Sequence, residues 1–397
     1  MRRYAQVWAL PSAPVLLLAG FVGRLPVAMV PLALLLLVAA RTGSYATAGL
    51  ATAAYGVATA LVAPLLGRLA DRIGPRPVLL VTGLTYPAAL LGLLAILRTD
   101  APYWALLAAA AGAGASMPLI SSTVRAMWQR VSGDPAALKS AYALDAIAVE
   151  CVFVLGPVLV AGFLTVTSPA VPIVIAAALA FAGSVVVAFS APARSWRPAA
   201  RSGGPGPLRS PGLRVLLGSS AVVMFGLGCL EVAVPAYADQ DGRPAMSGVL
   251  LAVWALGSAV GGLWFGAKHL RMSLPRQYRW GLLAIAIGFT PLAAAQNLWM
   301  MGGLLFLAGT AIAPVITVQN SLIAELAPAR ATTEAFTWLT TVVFGASALG
   351  AAAAGLLVER SGGVVLVLLL AALSAFAAAG IASVAGGRLR AGQLRPA

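Results

Sequence analysis

Four ionisable side chains stand inside long apolar runs of this 397-residue chain: Arg24, Asp145, Glu150 and Glu231. A charge in such a run is costly to hold in hydrocarbon, so it normally faces a cavity or a partner of opposite sign. Arg125, close to the end of its run, can instead extend its guanidinium to the interface along its methylene stem. Counting about 1.5 Å per residue from the run ends sets Arg24 and Glu150 at similar depth, which predicts an ion pair between them. Asp145 and Glu150 are separated by roughly 140° around a helix at about 100° per residue, so they do not share a face. Asp145 is then expected to pair with Arg125 or to line a pathway. Glu231 has no evident cation in its own half of the chain, and a carboxyl in apolar surroundings holds its proton more firmly. These residues suit proton or ion binding rather than bond cleavage. The sequence contains no Gly-x-x-x-x-Gly-Lys-Ser/Thr phosphate loop, and the single histidine, His269, sits in a basic stretch without a paired ligand. No cofactor, metal site or enzymatic activity is expected.

The elements that position these residues are membrane spans. Hydrophobic residues make up 61% of the chain and charged ones 9%, far from the roughly 25% charged of soluble proteins. Runs of about 20 apolar residues match a helix crossing a core of roughly 30 Å. Charged and Pro/Gly-rich breaks divide the chain into twelve spans, near 13–40, 44–66, 77–97, 102–124, 140–163, 169–191, 214–237, 246–267, 280–296, 298–322, 336–357 and 362–385. Met1-Arg2-Arg3 imitates a signal peptide, but the run that follows is too long for an apolar core of roughly 7 to 15 residues. Arginine and lysine fall in alternate loops, leaving only Arg41, Arg98, Arg243 and Arg360 on the other side. This asymmetry places both termini in the cytoplasm of a multi-pass cell-membrane protein. It also accounts for the net charge of +15 without a nucleic-acid partner, which would need the charge gathered in one patch. Cys151 and Cys229 lie inside spans as small apolar filler. The Pro-, Gly-, Ser- and Arg-rich stretch 193–212 reads as a cytoplasmic linker between six-helix halves 1–192 and 213–397. Met117-Pro118-Leu119-Ile120-Ser121 and Ala313-Pro314-Val315-Ile316-Thr317 repeat at about half the chain length.

The stretch Gly67-Arg68-Leu69-Ala70-Asp71-Arg72-Ile73-Gly74-Pro75-Arg76 reads as a basic turn between the second and third spans. It resembles the signature loop of the major facilitator superfamily at Gly67, Asp71, Arg72, Gly74 and Arg76, with Pro75 in place of a basic residue. The resemblance implies an all-α membrane protein of twelve helices in two pseudo-symmetric bundles, carrying a small molecule by alternating access. It also implies that Asp71 latches onto the start of the eleventh span at Thr332 and Glu334, with Arg68, Arg72 or Arg76 compensating the glutamate. In the fifth span, Gly156-Pro157 resembles part of the antiporter motif of proton-coupled drug exporters, although flanking glycines are replaced by Cys151, Val160 and Ala161. That resemblance favours proton-coupled efflux by a monomer in the lipid bilayer. An importer or facilitator of the same architecture, and a non-transporting receptor, are the alternatives. Thr317, Gln319 and Asn320 in the tenth span, and Trp254, Trp264 and Trp338, are further groups able to meet a substrate or a neighbouring helix.

Overall fold

Helix is the only regular structure among the described residues, as hydrocarbon demands of a chain without barrel periodicity. The computed structural model describes residues 12–99, 101–131, 135–166, 168–196, 207–267, 272–327 and 332–384. The first helix, α1 (Ala13–Thr42), ends at Gly43, whose φ of 67° lets its amide reach the Ala39 carbonyl. Ser44 follows at once as the N-cap of α2 (Tyr45–Ile73), accepting from the Thr47 amide. At its other end α2 turns into α3 (Pro75–Ile96) through Gly74 alone, at φ 91° and ψ 156°, a conformation open essentially only to glycine. The basic stretch is therefore not a loop. Gly67, Asp71 and Arg72 lie in the last turns of α2, and Arg76 in the first turn of α3. Charge marks where the membrane ends; Arg, Leu and Ala are good helix formers and carry the helix past it.

The fourth span is broken into α4 (Tyr103–Ala115) and α5 (Ile120–Val131) around Pro118. The Thr59 hydroxyl of α2 donates to the Gly114 carbonyl at the break, at 3.0 Å. Then come α6 (Pro135–Val166), α7 (Ala170–Ala188), α8 (Pro211–Gln240) and α9 (Met246–Ala267). Next is α10 (Leu274–Phe289), extended by a 3-10 turn, Thr290–Ala294. The tenth span repeats the break of the fourth, as α11 (Leu298–Gly309) and α12 (Ile312–Leu326), with Pro314 in the first turn of the latter. The last two helices are α13 (Thr332–Val358) and α14 (Gly363–Val384). Eleven spans are long and apolar enough to cross a membrane among the described residues; α10, of 16 residues, completes the twelve. It starts at Leu274 rather than near 280, because Ser273 and Pro275 open it and Arg276 and Arg279 ride on its first turns.

Packing repeats between the halves. In the first, α1 lies against α7 and α6, α3 against α7, and α2 against α4. In the second, α8 lies against α14 and α13, α10 against α14, and α9 against α11. Each central helix thus has the same neighbours in its own six-helix bundle. Between bundles the pairs exchange: α2 meets α13 and α6 meets α9. Glycines allow these approaches where lipid gives no hydrophobic drive. Gly49 and Gly355 face each other across α2 and α13, and Gly248 of α9 packs on the Pro157 carbonyl and Ala161 of α6. Half of the linker, 197–206, lies outside the described residues.

Candidate transport site

Arg24 sits one residue beyond Gly23, which meets Gly183 of α7 so closely that a Cβ at either would collide with the other's backbone. Held there, its Nη1 donates to Asp145 Oδ1 of α6 at 2.6 Å. Asp145 Oδ2 accepts from Arg125 Nε of α5 at 3.1 Å. The Arg24 and Asp145 side chains are only 3% and 2% exposed, whereas Arg125 is 55% exposed. The expected pair of Arg24 with Glu150 does not form. Gly156 packs on Ala28 of α1, which fixes the face of α6 turned toward α1. Asp145, eleven residues earlier, is about 20° from that face at about 100° per residue, while Glu150 is about 120° away. The arginine stem also leans toward the start of its own helix, where Asp145 lies. Glu150 is half-buried, and its carboxylate forms no ion pair among the described residues. The triad carries two cations and one anion, and Arg24 Nε and Nη2 remain buried without partners.

The second bundle is different. Helices α8 and α13 cross where Gly228 meets the Ser347 backbone and Gly350 meets Phe225 and Cys229. One turn beyond Gly228, Glu231 accepts a hydrogen bond from the Ser347 hydroxyl at 3.2 Å. The residue is surrounded by protein yet solvent-accessible, on a helix otherwise buried along most of its length. No cation pairs with it among the described residues. Thr317 and Asn320 of α12 are exposed, and Gln319 is buried with its Oε1 unpartnered. Trp254 is buried edge-on against Phe289, at 6.4 Å between centroids, which makes it core rather than a stacking surface. Trp264 and Trp338 are exposed.

Between the bundles, the polar contact that sequence reasoning missed is at the Ser44 end. Glu359, just past the last turn of α13, accepts from the Ser44 hydroxyl at 2.6 Å and from the Ala46 amide at 2.9 Å. The Ala46 amide first, and the Ser44 hydroxyl second, hold its carboxyl below the usual range. Nearby, Tyr45 lies beside Asp239 of α8. An acid at a helix C-terminus opposes the helix dipole, and that anomaly was the available signal: Glu359 is satisfied by the N-terminus of a different helix. At the separate contact of α6 with α9, the Pro157 carbonyl packs on Gly248, while Gly156 packs on Ala28 within the first bundle.

Toward the Gly74 end, Thr341 Oγ1 still reaches the Ala60 carbonyl at 3.4 Å, but a Cβ at Gly67 would meet nothing within 4 Å. Arg76 stacks over Phe189 at 4.9 Å, and Trp196 covers Gly74, so these two residues are anchored within their own bundle. Helix α13 begins at Thr332. The side chains of Asp71, Thr332 and Glu334, which form the expected latch, lie outside the described residues.

Membrane-spanning helices packed as two repeated bundles are the architecture of a carrier. The family model for the Major Facilitator Superfamily matches residues 16–230 and again 216–393, and the chain belongs to that superfamily. Solved structures share its fold. A bacterial homolog of the human lysosomal transporter Spinster, inward-facing and occupied, aligns at a TM-score of 0.71 and 15% identity, over 96% of this chain and 98% of that one. The nucleoside transporter NupG aligns at 0.75 and 12% identity, over 93% and 98%. The peptide transporter POT in complex with sulfate aligns at 0.76 and 15% identity, over 97% and 98%. No curated protein sequence matches the chain.

Proposed function

We propose that the protein is a proton-coupled secondary transporter that exports a small molecule across the cytoplasmic membrane, with Glu231 as the proton-carrying group. The observation that carries this reading is Glu231 itself: an exposed carboxyl within a membrane-spanning helix, accepting from one neutral hydroxyl at 3.2 Å. Without a fixed cation, such a group can exchange a proton for a substrate when the bundles rock about a midplane site. Asp145, by contrast, is consumed by two guanidiniums and fixes the first bundle. Halves 1–192 and 213–397, joined by linker 193–212, act as the rocking bodies of a monomer with both termini in the cytoplasm. Export is the direction implied by the partial antiporter resemblance at Gly156-Pro157.

Flux in proteoliposomes, driven by a pH gradient and screened over lipophilic cations, sugars and antibiotics, tests the reading. The parent should move one compound against proton counterflow, and Glu231→Gln should uncouple the two. Unchanged coupled flux in that variant removes Glu231 from the mechanism, and flux along with protons makes the protein an importer.

A further inference from the structure

We propose that the groove between α10 and α14 at the Gly74 end binds an anionic phospholipid, with its phosphate on Arg279 and an acyl chain along Gly380. A cavity of about 330 Å³ is lined there by Arg279, Trp280, Leu283, Phe376, Gly380 and Ser383. Arg279 is half-buried, its Nε is shut off from solvent without a hydrogen-bond partner, and no carboxylate among the described residues pairs with it. A guanidinium cannot shed its charge, so this one asks for an anion from outside the chain. The rest of the groove is apolar. The Ser383 hydroxyl is spent on the Ala379 carbonyl at 2.7 Å, and Phe376 is exposed. Gly380 forms a notch, since a Cβ there would meet nothing within 4 Å. Trp280 is 55% exposed beside the guanidinium, the arrangement expected at headgroup level.

The place in the bilayer selects the occupant. Arg279 lies in the second turn of α10 and Phe376 to Ser383 in the last turns of α14, at the end to which loop charge assigns the cytoplasm. That leaflet carries the anionic lipids, and basic pockets between helices on that side take their headgroups. The inference rests on this orientation and not on proton transfer at Glu231.

The test is bromine quenching of tryptophan in nanodiscs, with brominated chains on either phosphatidylglycerol or phosphatidylcholine. The Trp280 signal is the difference between the parent and Trp280→Phe. Phosphatidylglycerol should quench it at roughly five-fold lower mole fraction, the equivalent of the ~1 kcal/mol that one arginine adds near an anionic surface. Arg279→Gln should erase that preference. Gly380→Leu, or the milder Gly380→Ala if the first melts early, should weaken quenching by both lipids. Equal quenching in the parent, a preference that survives Arg279→Gln, or displacement by inorganic phosphate alone overturns the proposal. So does a Trp280 shielded from both lipids, which would mean that a second copy of the chain covers the groove. None of these readouts depends on transport, so failure here and failure of proton coupling are separable.

Discussion

In the first bundle Asp145 is gripped by Arg24 at 2.6 Å and Arg125 at 3.1 Å, whereas in the second Glu231 accepts, among the described residues, from the Ser347 hydroxyl at 3.2 Å. The helices that hold them repeat the same packing. What differs is the chemistry installed on the repeat. A carboxylate between two guanidiniums, almost fully out of water, is committed to its place. A carboxyl with one neutral partner and an open face is not so bound. On the proposed reading, rigidity belongs to one half and exchange to the other.

The largest expected effect comes from breaking the committed side. Asp145→Asn leaves two arginines facing each other, one of them buried, and removal of one partner from a buried ionic network costs about 3 to 5 kcal/mol. A thermal melt of the purified protein should fall sharply, and Arg24→Gln in the same chain should restore part of the loss. Glu231→Gln should leave that melt nearly unchanged, and a drop as large as that of Asp145→Asn would erase the distinction. Next in size is the crossing that carries Glu231. Gly228→Ala puts a methyl group into the Ser347 backbone, and overpacking of this kind costs about 1 to 3 kcal/mol. The melt should fall accordingly, with coupling lost in parallel.

The smallest effect concerns the seal between the bundles. The folded-state pKa of Glu359 is depressed, so its contribution is present above the ordinary carboxylate value of 4.5 and lost as the pH falls through the lowered one. Acid on the Ser44 side should therefore loosen the contact between α2 and α13. Labelling of Ser347→Cys by an impermeant maleimide from that side, with Cys151 and Cys229 replaced, should rise a few-fold in acid. Glu359→Gln should raise labelling at neutral pH and flatten its pH dependence.

Most of the fold is legible because hydropathy and loop charge are long-range averages that survive local error: the twelve spans and the doubled architecture follow from them, while the break of the fourth span around Pro118 does not. What failed was local. Gly67 to Arg72 looked like a turn because charge was taken for the end of a helix, although only Gly74 bends the chain. The Arg24 partner was misjudged because depth was counted without the face of α6, which Gly156 and Ala28 fix only in three dimensions. Glu231 is legible as a lone acid within a span. Its Ser347 partner is not, being 116 residues away along the chain.

Infrared difference titration of the protein in lipid tests the contrast most directly, since it needs no substrate. A protonated-carboxyl C=O band that comes and goes as the pH is stepped should be present in the parent, absent in Glu231→Gln and retained in a folded Asp145→Asn, Arg24→Gln double variant. A band that persists in Glu231→Gln, or that vanishes with Asp145, would contradict the assignment of exchange to the second bundle.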